Sequence, residues 1–409
     1  MAARRSGSFQ SIEEIEGSAY DWFPRLPSRV GFEGKDPDDA LRSLDASDLR
    51  FHALERSGRG ALAQVAPIWP GLDRLSLLQR ERSAPRFTEF DGAIPPALIE
   101  KSGVLDRNLS ASSLGAYAQC PHRFFLGRVL GLSALPEPEE TMEIGAAERG
   151  TFVHHILEQF VDRYLDHGGG DWEGYLRGAS DTLKAVIEAE VSALPSGVTG
   201  LPVSWQIARE EIEEDLREYV EDELRHAQEG WFPVATEKRF EDVPLDGGRW
   251  KVRVRGAIDR LDRRASGEVR VVDYKTGRVW ESGDGYRKGT SLQLPIYLNA
   301  ACHDTGAPMK GSRAEYHYPT RKGKFSRLGL DGEDLLTDGR FGQVVEAMAE
   351  GMASGAFFYW PAEQRRNCGL CDFFDVCQTN VSQMQNRKSP GSAELRKPFD
   401  RIKNNGGSQ

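Results

Sequence analysis

The stretch from Val269 to Gly277, VRVVDYKTG, constrains this chain more than any other part of the sequence. Its β-branched residues predict a short strand, which ends abruptly in Asp273, Tyr274, Lys275 and a Thr-Gly turn. Side chains alternate along a strand, so Asp273 and Lys275 point to the same face. A carboxylate beside an ammonium can hold a divalent metal ion and place a cation next to a phosphate. The alternative is a strand end closed by an ordinary salt bridge.

A second alternating run lies upstream, from Lys251 to Asp259, KVRVRGAID. A Gly-rich turn precedes it and a short turn separates it from the first strand, which predicts a β-hairpin. Each strand ends in an acid, so we expect Asp259 and Asp273 to meet at one edge of a sheet. Two carboxylates that close repel each other unless a cation lies between them.

Composition bounds the possible partners. The 409 residues suffice for two or three domains. No apolar run approaches the ~20 residues that span a bilayer and the N-terminus lacks an apolar signal core, so we expect a cytoplasmic protein without a membrane partner. The net charge of −10 does not favour nucleic acid, but residues 249–288 hold twelve Lys/Arg against six Asp/Glu. A local basic surface can bind phosphate on an acidic protein.

Periodicity divides the chain into three parts. Residues 1–107 have no strong period and predict an N-terminal extension or the remnant of a preceding helicase-like domain, residues 108–380 form the ordered domain, and residues 381–409 have the makeup of a disordered tail. In the ordered part we predict a helix that opens near 148–158, with Thr151 as its cap, and then an acidic helix near 204–228. Three strands follow, near 234–241, 249–257 and 268–274. A helix near 291–304, a strand near 312–319 and a helix near 338–354 complete the domain. No G-x-x-x-x-G-K-[ST] motif is found, so an ATP motor would lie outside this chain.

This order of elements, with acids at the strand ends, resembles the PD-(D/E)XK nuclease superfamily and, within it, the RecB/AddB-like nuclease domains. Four segments carry the resemblance: Gly150–His154 (GTFVH), Gly256–Asp262 (GAIDRLD), Val272–Gly277 (VDYKTG) and Gln293–Tyr297 (QLPIY). It covers about residues 108–380 and implies an α/β fold. The expected core is restriction-endonuclease-like, a mixed central sheet flanked by helices, with a helical cysteine-bearing extension.

The resemblance also implies roles for single residues. His154, Asp259 and Asp273 would be ligands of Mg²⁺ or Mn²⁺, helped by the backbone carbonyl of Tyr274. Hard divalent ions prefer such oxygen ligands, and one imidazole favours Mn²⁺ without excluding Mg²⁺. Lys275 would lie against the scissile phosphate and share its developing negative charge.

Two further positions follow from the last segment of the resemblance. Gln293 and Tyr297 lie one helical turn apart, on a single face. In the family they buttress the active site and contact the DNA backbone. Glu237 is a candidate accessory acid.

Alternatives stay open at two of these positions. His155 could replace its neighbour His154 as the ligand, although His154 fits the motif spacing better. We expect Asp262 to pair with Arg260 or Arg264 rather than to bind metal.

The cysteines form a second constellation, in which Cys120 precedes the trio Cys368-x₂-Cys371-x₅-Cys377. Four thiolates suit zinc or a 4Fe-4S cluster, and C-x₂-C alone favours zinc. The full pattern looks like the iron-sulfur staple of AddB-type nucleases, which implies a structural 4Fe-4S cluster. We interpret Cys302 as an inert small hydrophobe.

Taken with these patterns, the resemblance implies a metal-dependent DNA nuclease, an exonuclease that cuts a single strand in a helicase-nuclease system for double-strand-break repair. Its partners would be DNA and a helicase or ATPase subunit, or a fused motor domain. Competing hypotheses are a stand-alone iron-sulfur exonuclease of the CRISPR-associated kind, a catalytically silent DNA-binding module and a zinc-stapled adaptor without chemistry.

Overall fold

The structure of the protein is a computed structural model, which describes residues 72–133, 144–194, 201–279, 289, 291–369, 371–374, 376–377 and 380–404. The chain divides into two compact units, Met1–Ser83 and Ala84–Gln409. In the first unit the described part is one helix, α1 (Leu72–Ser83). Most of the predicted N-terminal extension, residues 1–71, lies outside the described residues.

A five-stranded mixed sheet forms the centre of the second unit. Its strands are β1 (Phe232–Gly247), β2 (Trp250–Arg263), β3 (Val269–Tyr274), β4 (Arg313–His317) and β5 (Arg327–Asp331), and they lie side by side in sequence order. The β3–β4 pair is parallel and the other three pairs are antiparallel. The predicted hairpin is confirmed, whereas β5 has no counterpart in the sequence prediction.

Helices surround this sheet. Those that precede β1 are α2 (Pro96–Ser102), α3 (Ala111–Gln119), α4 (Pro121–Phe124), α5 (Ala146–Asp166), α6 (Trp172–Arg177), α7 (Ala179–Ala193) and α8 (Pro202–His226). The later ones are α9 (Gln293–Thr305), α10 (Gly332–Asp338), α11 (Arg340–Ala353), α12 (Val381–Lys388) and α13 (Ala393–Asn404). A parallel strand pair needs a crossover connection, and α9 lies in the one between β3 and β4.

One side of β3 and β4, which we call the apolar face, carries Val269, Val271, Ala314 and Tyr316. These residues pack into a hydrophobic core together with side chains of α3, α9, α11 and α13. Alternation of side chains along the strands explains why every second residue joins this core.

The opposite side, which we call the ionic face, carries Arg270, Val272, Tyr274, Glu315 and His317, all buried. Val272 and Tyr274 join a second core with the apolar stripes of α5, α6, α7 and α8. The sheet therefore lies between two helical layers, which confirms the predicted restriction-endonuclease-like α/β class.

Two predicted boundaries are wrong. Strand β2 does not end at residue 257 but continues to Arg263, so Asp259 lies inside a strand. Thr151 is not a helix cap, because α5 begins at Ala146 with Gly145 at its N-cap position.

The compact unit begins earlier than residue 108. Phe87, Ile99 and Val104 are buried in the core of the apolar face. Residues 84–107 are therefore part of this unit rather than of a separate extension.

The prediction of a disordered tail from residue 381 is wrong for residues 381–404, which form α12 and α13. Phe399 and Ile402 on α13 are completely buried. Burial of these two side chains is the physical reason for order, because each removes a large apolar surface from water. Within the described ranges, none of the helices combines the length and apolar character required of a membrane span.

Candidate active site

The two acids, Asp259 and Asp273, lie on the neighbouring strands β2 and β3. Antiparallel pairing of β2 and β3 sets Arg260 opposite Val272, so one residue further along Asp259 is level with Asp273. Directly opposed residues have Cβ atoms about 4.5–5.5 Å apart. The Tyr274 backbone N–H donates to Asp259 Oδ2 at 2.8 Å, which fixes the orientation of this carboxylate.

The electrostatics of the pair favour a bound cation. Burial and the neighbouring Asp273 carboxylate raise the pKa of Asp259 to about 8. A buried and a half-buried carboxylate at this spacing disfavour simultaneous ionisation, and a divalent ion between them removes the repulsion.

His154 on α5 faces the acid pair, with its Nδ1 3.4 Å from Asp259 Oδ2. Burial and the nearby Lys275 ammonium lower the pKa of His154 to about 4, so the imidazole is neutral near pH 7. Neutral imidazole is the form that binds metal. The alternative, His155, is more exposed and lies 3.6 Å from Glu158.

Lys275 stands beside the acids, as predicted from the strand pattern. Its Nζ forms an ion pair with Asp273 and donates to Gln293 Oε1 at 3.2 Å. Gln293 Nε2 in turn donates to the Tyr297 hydroxyl at 3.2 Å. Gln293 and Tyr297, the two residues singled out in the QLPIY segment, are thus connected to Lys275. The Lys275 ammonium also lies 5.1 Å from the ring centroid of Tyr316.

Tyr274 connects the site to the ionic face. Its hydroxyl hydrogen-bonds with the Tyr219 hydroxyl at 2.9 Å and accepts from Arg260 Nη1 at 3.3 Å. Arg260 is completely buried and donates to both carboxylate oxygens of Asp262 at 2.6 and 2.9 Å. The predicted pairing of Asp262 with Arg260 is therefore confirmed, and a second arginine, Arg270, also binds Asp262.

Sequence reasoning missed two acids near the site. Glu223 on α8 lies 2.8 Å from Arg260 Nη1 and completes the buried network. Glu158 follows His154 by one helical turn, a spacing that puts both on one face and could have identified it. Burial and the exposed Glu237 raise the pKa of Glu158, and Glu237 contributes to the raised pKa of Asp259 as well.

Within the described residues, no group of three or more His, Cys, Asp or Glu side chains is arranged so as to hold a metal ion. The site groups form two pairs instead, His154 with Asp259 and Lys275 with Asp273. The chemistry of the donors nevertheless fits a hard divalent ion, because two mutually repelling carboxylates and a neutral imidazole converge there.

The four cysteines of the predicted cluster come from two distant parts of the chain and carry free thiols. Burial raises the pKa of Cys377 to about 12, and Cys120, Cys371 and Cys368 add to this rise. The four sulfurs are thus close enough to interact electrostatically. Such a set of soft donors fits an iron-sulfur cluster or zinc.

Hydrogen bonds between side chains and backbone groups connect the two segments of this region. Asn367 Nδ2 donates to the carbonyl oxygens of Gln119 at 2.7 Å and Trp360 at 3.0 Å. The Trp360 N–H donates to Cys120 Sγ at 3.3 Å. Cys302 lies apart from the set, buried at the end of α9, which agrees with its interpretation as a core residue.

The family model of the PD-(D/E)XK nuclease superfamily matches residues 108–378. This range contains the sheet, the acid pair, Lys275 and the cysteines. The chain belongs to the PD-(D/E)XK nuclease superfamily and is a nuclease-domain protein. Members of this superfamily generally use divalent metal ions.

Several curated proteins, each named as a subunit of an ATP-dependent helicase/deoxyribonuclease, are similar to this chain. The one from Moorella thermoacetica is 31% identical over 296 residues, which is 66% of this chain and 25% of the relative. The relative from Lacticaseibacillus casei is 26% identical over 73% of this chain. The relative from Symbiobacterium thermophilum is 32% identical over 50% of this chain. The matches cover 26% and 18% of those two proteins, so this chain spans about a quarter of their length or less.

Proposed function

We propose that this chain hydrolyses phosphodiester bonds of DNA, as the nuclease portion of a helicase-nuclease that processes double-strand breaks. The observation that carries the proposal is the convergence of Asp259 on β2, Asp273 and Lys275 at the end of β3, and His154 on α5. The names of the relatives support DNA as the substrate and a helicase subunit or motor as the partner. Such a protein works where the DNA is, in the bacterial cytoplasm.

Asp259, Asp273 and His154, with the carbonyl of Tyr274, would hold Mg²⁺ or Mn²⁺. The ion would supply an acidified water and neutralise charge on the phosphate. Lys275, held by Gln293, contacts a phosphate oxygen and stabilises the negative charge that develops during cleavage. Tyr297 keeps Gln293 in place through the hydrogen bond between their side chains.

We further infer that the enzyme acts as an exonuclease on single-stranded DNA. This assignment rests on the resemblance to RecB/AddB-like nuclease domains.

The test of this function compares wild type with Asp273→Asn and Lys275→Met. Single-stranded and duplex DNA, labelled at either end, is incubated with Mg²⁺ or Mn²⁺ and the products are resolved. We expect each variant to lose at least about 10²-fold in cleavage rate, because each loses a group that stabilises the transition state.

Asp166→Asn and Lys310→Met are the matched controls, since both side chains are exposed and both residues lie outside the strands that carry the acid pair. Binding of Mn²⁺, followed by electron paramagnetic resonance, should be lost in Asp273→Asn and kept in Lys275→Met. Cleavage by both site variants at the wild-type rate would refute the assignment.

We also propose that Cys120, Cys368, Cys371 and Cys377 hold a structural 4Fe-4S cluster. Such a cluster would join segments far apart in sequence, so its bond energy becomes folding energy. We expect anaerobically purified protein to contain about four iron atoms per chain and to absorb visible light.

The variant Cys371→Ser should lose this iron and melt at a lower temperature, whereas Cys302→Ser should keep the iron. Stoichiometric zinc in place of iron in wild type would contradict the cluster and favour a zinc staple.

A further inference from the structure

A groove with a volume of about 700 Å³ runs beside the candidate active site, and nothing in the catalytic assignment uses its far end. At its near end it is lined by Gln293 and Tyr297, the residues that connect to Lys275. At its far end it is lined by Asp372 and Phe373, which follow Cys371 in the cysteine region. We call it the α3 groove, because one exposed face of α3 forms its wall.

The face that α3 presents to the groove is made of small or uncharged residues, Ser112, Gly115, Ala116 and Gln119. These positions follow the i, i+3, i+4, i+7 spacing of one helical face. The bulky residues of α3 turn the other way into the core. With no large side chain in between, a polymer in the groove can approach the helix backbone closely.

The opposite wall carries the charge. Arg123 and Arg128 both line the groove, and the carboxylate of Asp372, which also lines it, lies 3.7 Å from Arg123. Within the described part of the chain, no carboxylate forms an ion pair with Arg128. Two guanidinium groups against one carboxylate give the groove a local positive balance on a chain whose net charge is −10. Guanidinium groups are well suited to binding phosphate.

The size of the groove decides between a duplex and a single strand. A volume of about 700 Å³ lies within the range of about 300–1,000 Å³ that encloses one small ligand. Such a space accommodates a few nucleotides of one strand and is too small to enclose a double helix. We propose that the α3 groove guides one phosphodiester strand from the cysteine region to Lys275, with Arg128 and Arg123 neutralising its phosphates. The inference rests on the proposed nuclease function and specifies how its substrate is held.

Two variants of the full chain test this inference. Arg128→Gln removes one positive charge from the wall, and Ala116→Trp fills the groove. Arg177→Gln is the matched control for the charge, because Arg177 is an exposed arginine on α6 paired with Glu173. Binding of a fluorescent oligothymidylate is measured by anisotropy with Ca²⁺ in place of Mg²⁺ over a range of salt concentrations. Cleavage of the same strand is measured with Mg²⁺, and binding of Mn²⁺ is followed by electron paramagnetic resonance.

We expect Arg128→Gln to weaken strand binding several-fold and to reduce the slope of log K against log salt by about 0.7, the loss of one single-strand phosphate contact. Ala116→Trp should raise KM for the long strand at least about tenfold. Both variants should bind Mn²⁺ as wild type does, because neither side chain is among the proposed metal ligands. The control Arg177→Gln should behave as wild type in every assay.

The outcomes separate the two claims. Unchanged strand binding, salt slope and KM in both groove variants would overturn the α3 groove as the strand path, whatever the catalytic result. Preferential cleavage of blunt duplex that Ala116→Trp does not affect would overturn it too. If wild type does not cleave the strand while the variants still weaken strand binding, the groove stands and the proposed nuclease activity falls.

Discussion

The two faces of the sheet bury their side chains by different means. On the apolar face, side chains such as Val271 and Ala314 pack against aliphatic and aromatic residues of the helices that cover them. On the ionic face, Arg260, Asp262, Glu223 and His317 are buried together beneath α8. Hydrophobic burial stabilises the first face directly. On the second face, the cost of desolvating the charges offsets much of their attraction.

The difference indicates what the ionic face is for. Its polar groups are directional, and they converge on the Tyr274 hydroxyl. The backbone of the same residue donates to Asp259 and hydrogen-bonds with His154. We interpret the ionic face as a device that fixes the position of Tyr274, and through it the candidate metal ligands, while the apolar face supplies stability. Three predictions test this division.

The largest effect should come from Arg260→Met. This change leaves Asp262 and Glu223 as buried carboxylates with one partner fewer each, so we expect a loss of about 3–5 kcal/mol in the free energy of unfolding. Urea denaturation followed by circular dichroism measures it. Arg177→Met, at an exposed ion pair, is the control and should change stability by less than about 1 kcal/mol. A loss in Arg260→Met no larger than in this control would mean that the network does not depend on the guanidinium.

A somewhat smaller loss should follow Met348→Ala on the apolar face. Met348 is completely buried on α11, and such truncations cost about 2–5 kcal/mol. We expect kcat at a temperature where the variant stays folded to match wild type, because no directional contact to the site is removed. A drop in kcat comparable to that of a site variant would show that the apolar face also positions the catalytic groups.

Removal of single buried hydroxyl groups should change stability least, and it should distinguish the two faces most clearly. Tyr274→Phe and Tyr117→Phe each remove one buried hydroxyl, the latter from a 3.0 Å hydrogen bond to the Ala356 carbonyl. Each should cost about 1 kcal/mol in stability. Only Tyr274→Phe should also weaken Mn²⁺ binding, by about 10-fold, because it loosens a support of the metal ligands. Equal Mn²⁺ affinity in both variants would refute the positioning role of the ionic face.

The sequence predicted the centre of the fold well. The boundaries of β3 and α9 agree within two residues, because a β-branched run and a Gly-bounded helix are strong local signals. The predicted end of β2 is wrong for a physical reason. Arg260 and Asp262 look like a polar strand end in the sequence, yet they are buried because they pair with each other and with other elements of the fold. Such pairing across elements leaves no trace in local periodicity.

The sequence does contain a signal for an ordered helix at the C-terminus. Leu395, Phe399 and Ile402 recur at i, i+4 and i+7, which is the apolar stripe of a helix, although the surrounding composition is that of a disordered segment. The motifs led to the acids, His154 and Lys275, which the structure brings together. Their roles in metal binding and catalysis stay predictions, as does the 4Fe-4S cluster.

The contact between Lys388 and Asp91 has a consequence for biosynthesis. Lys388 Nζ donates to the Asp91 carboxylate at 2.7 Å, and both side chains are completely buried although they lie 297 residues apart. During translation, the segment around Asp91 emerges from the ribosome before Lys388. The ion-pair partner of Asp91 is therefore absent until α12 has been synthesised. Contacts between such distant residues form late and slow folding. A nascent chain that stops short of α12 would therefore expose this segment, which makes it a natural target for chaperones and proteases.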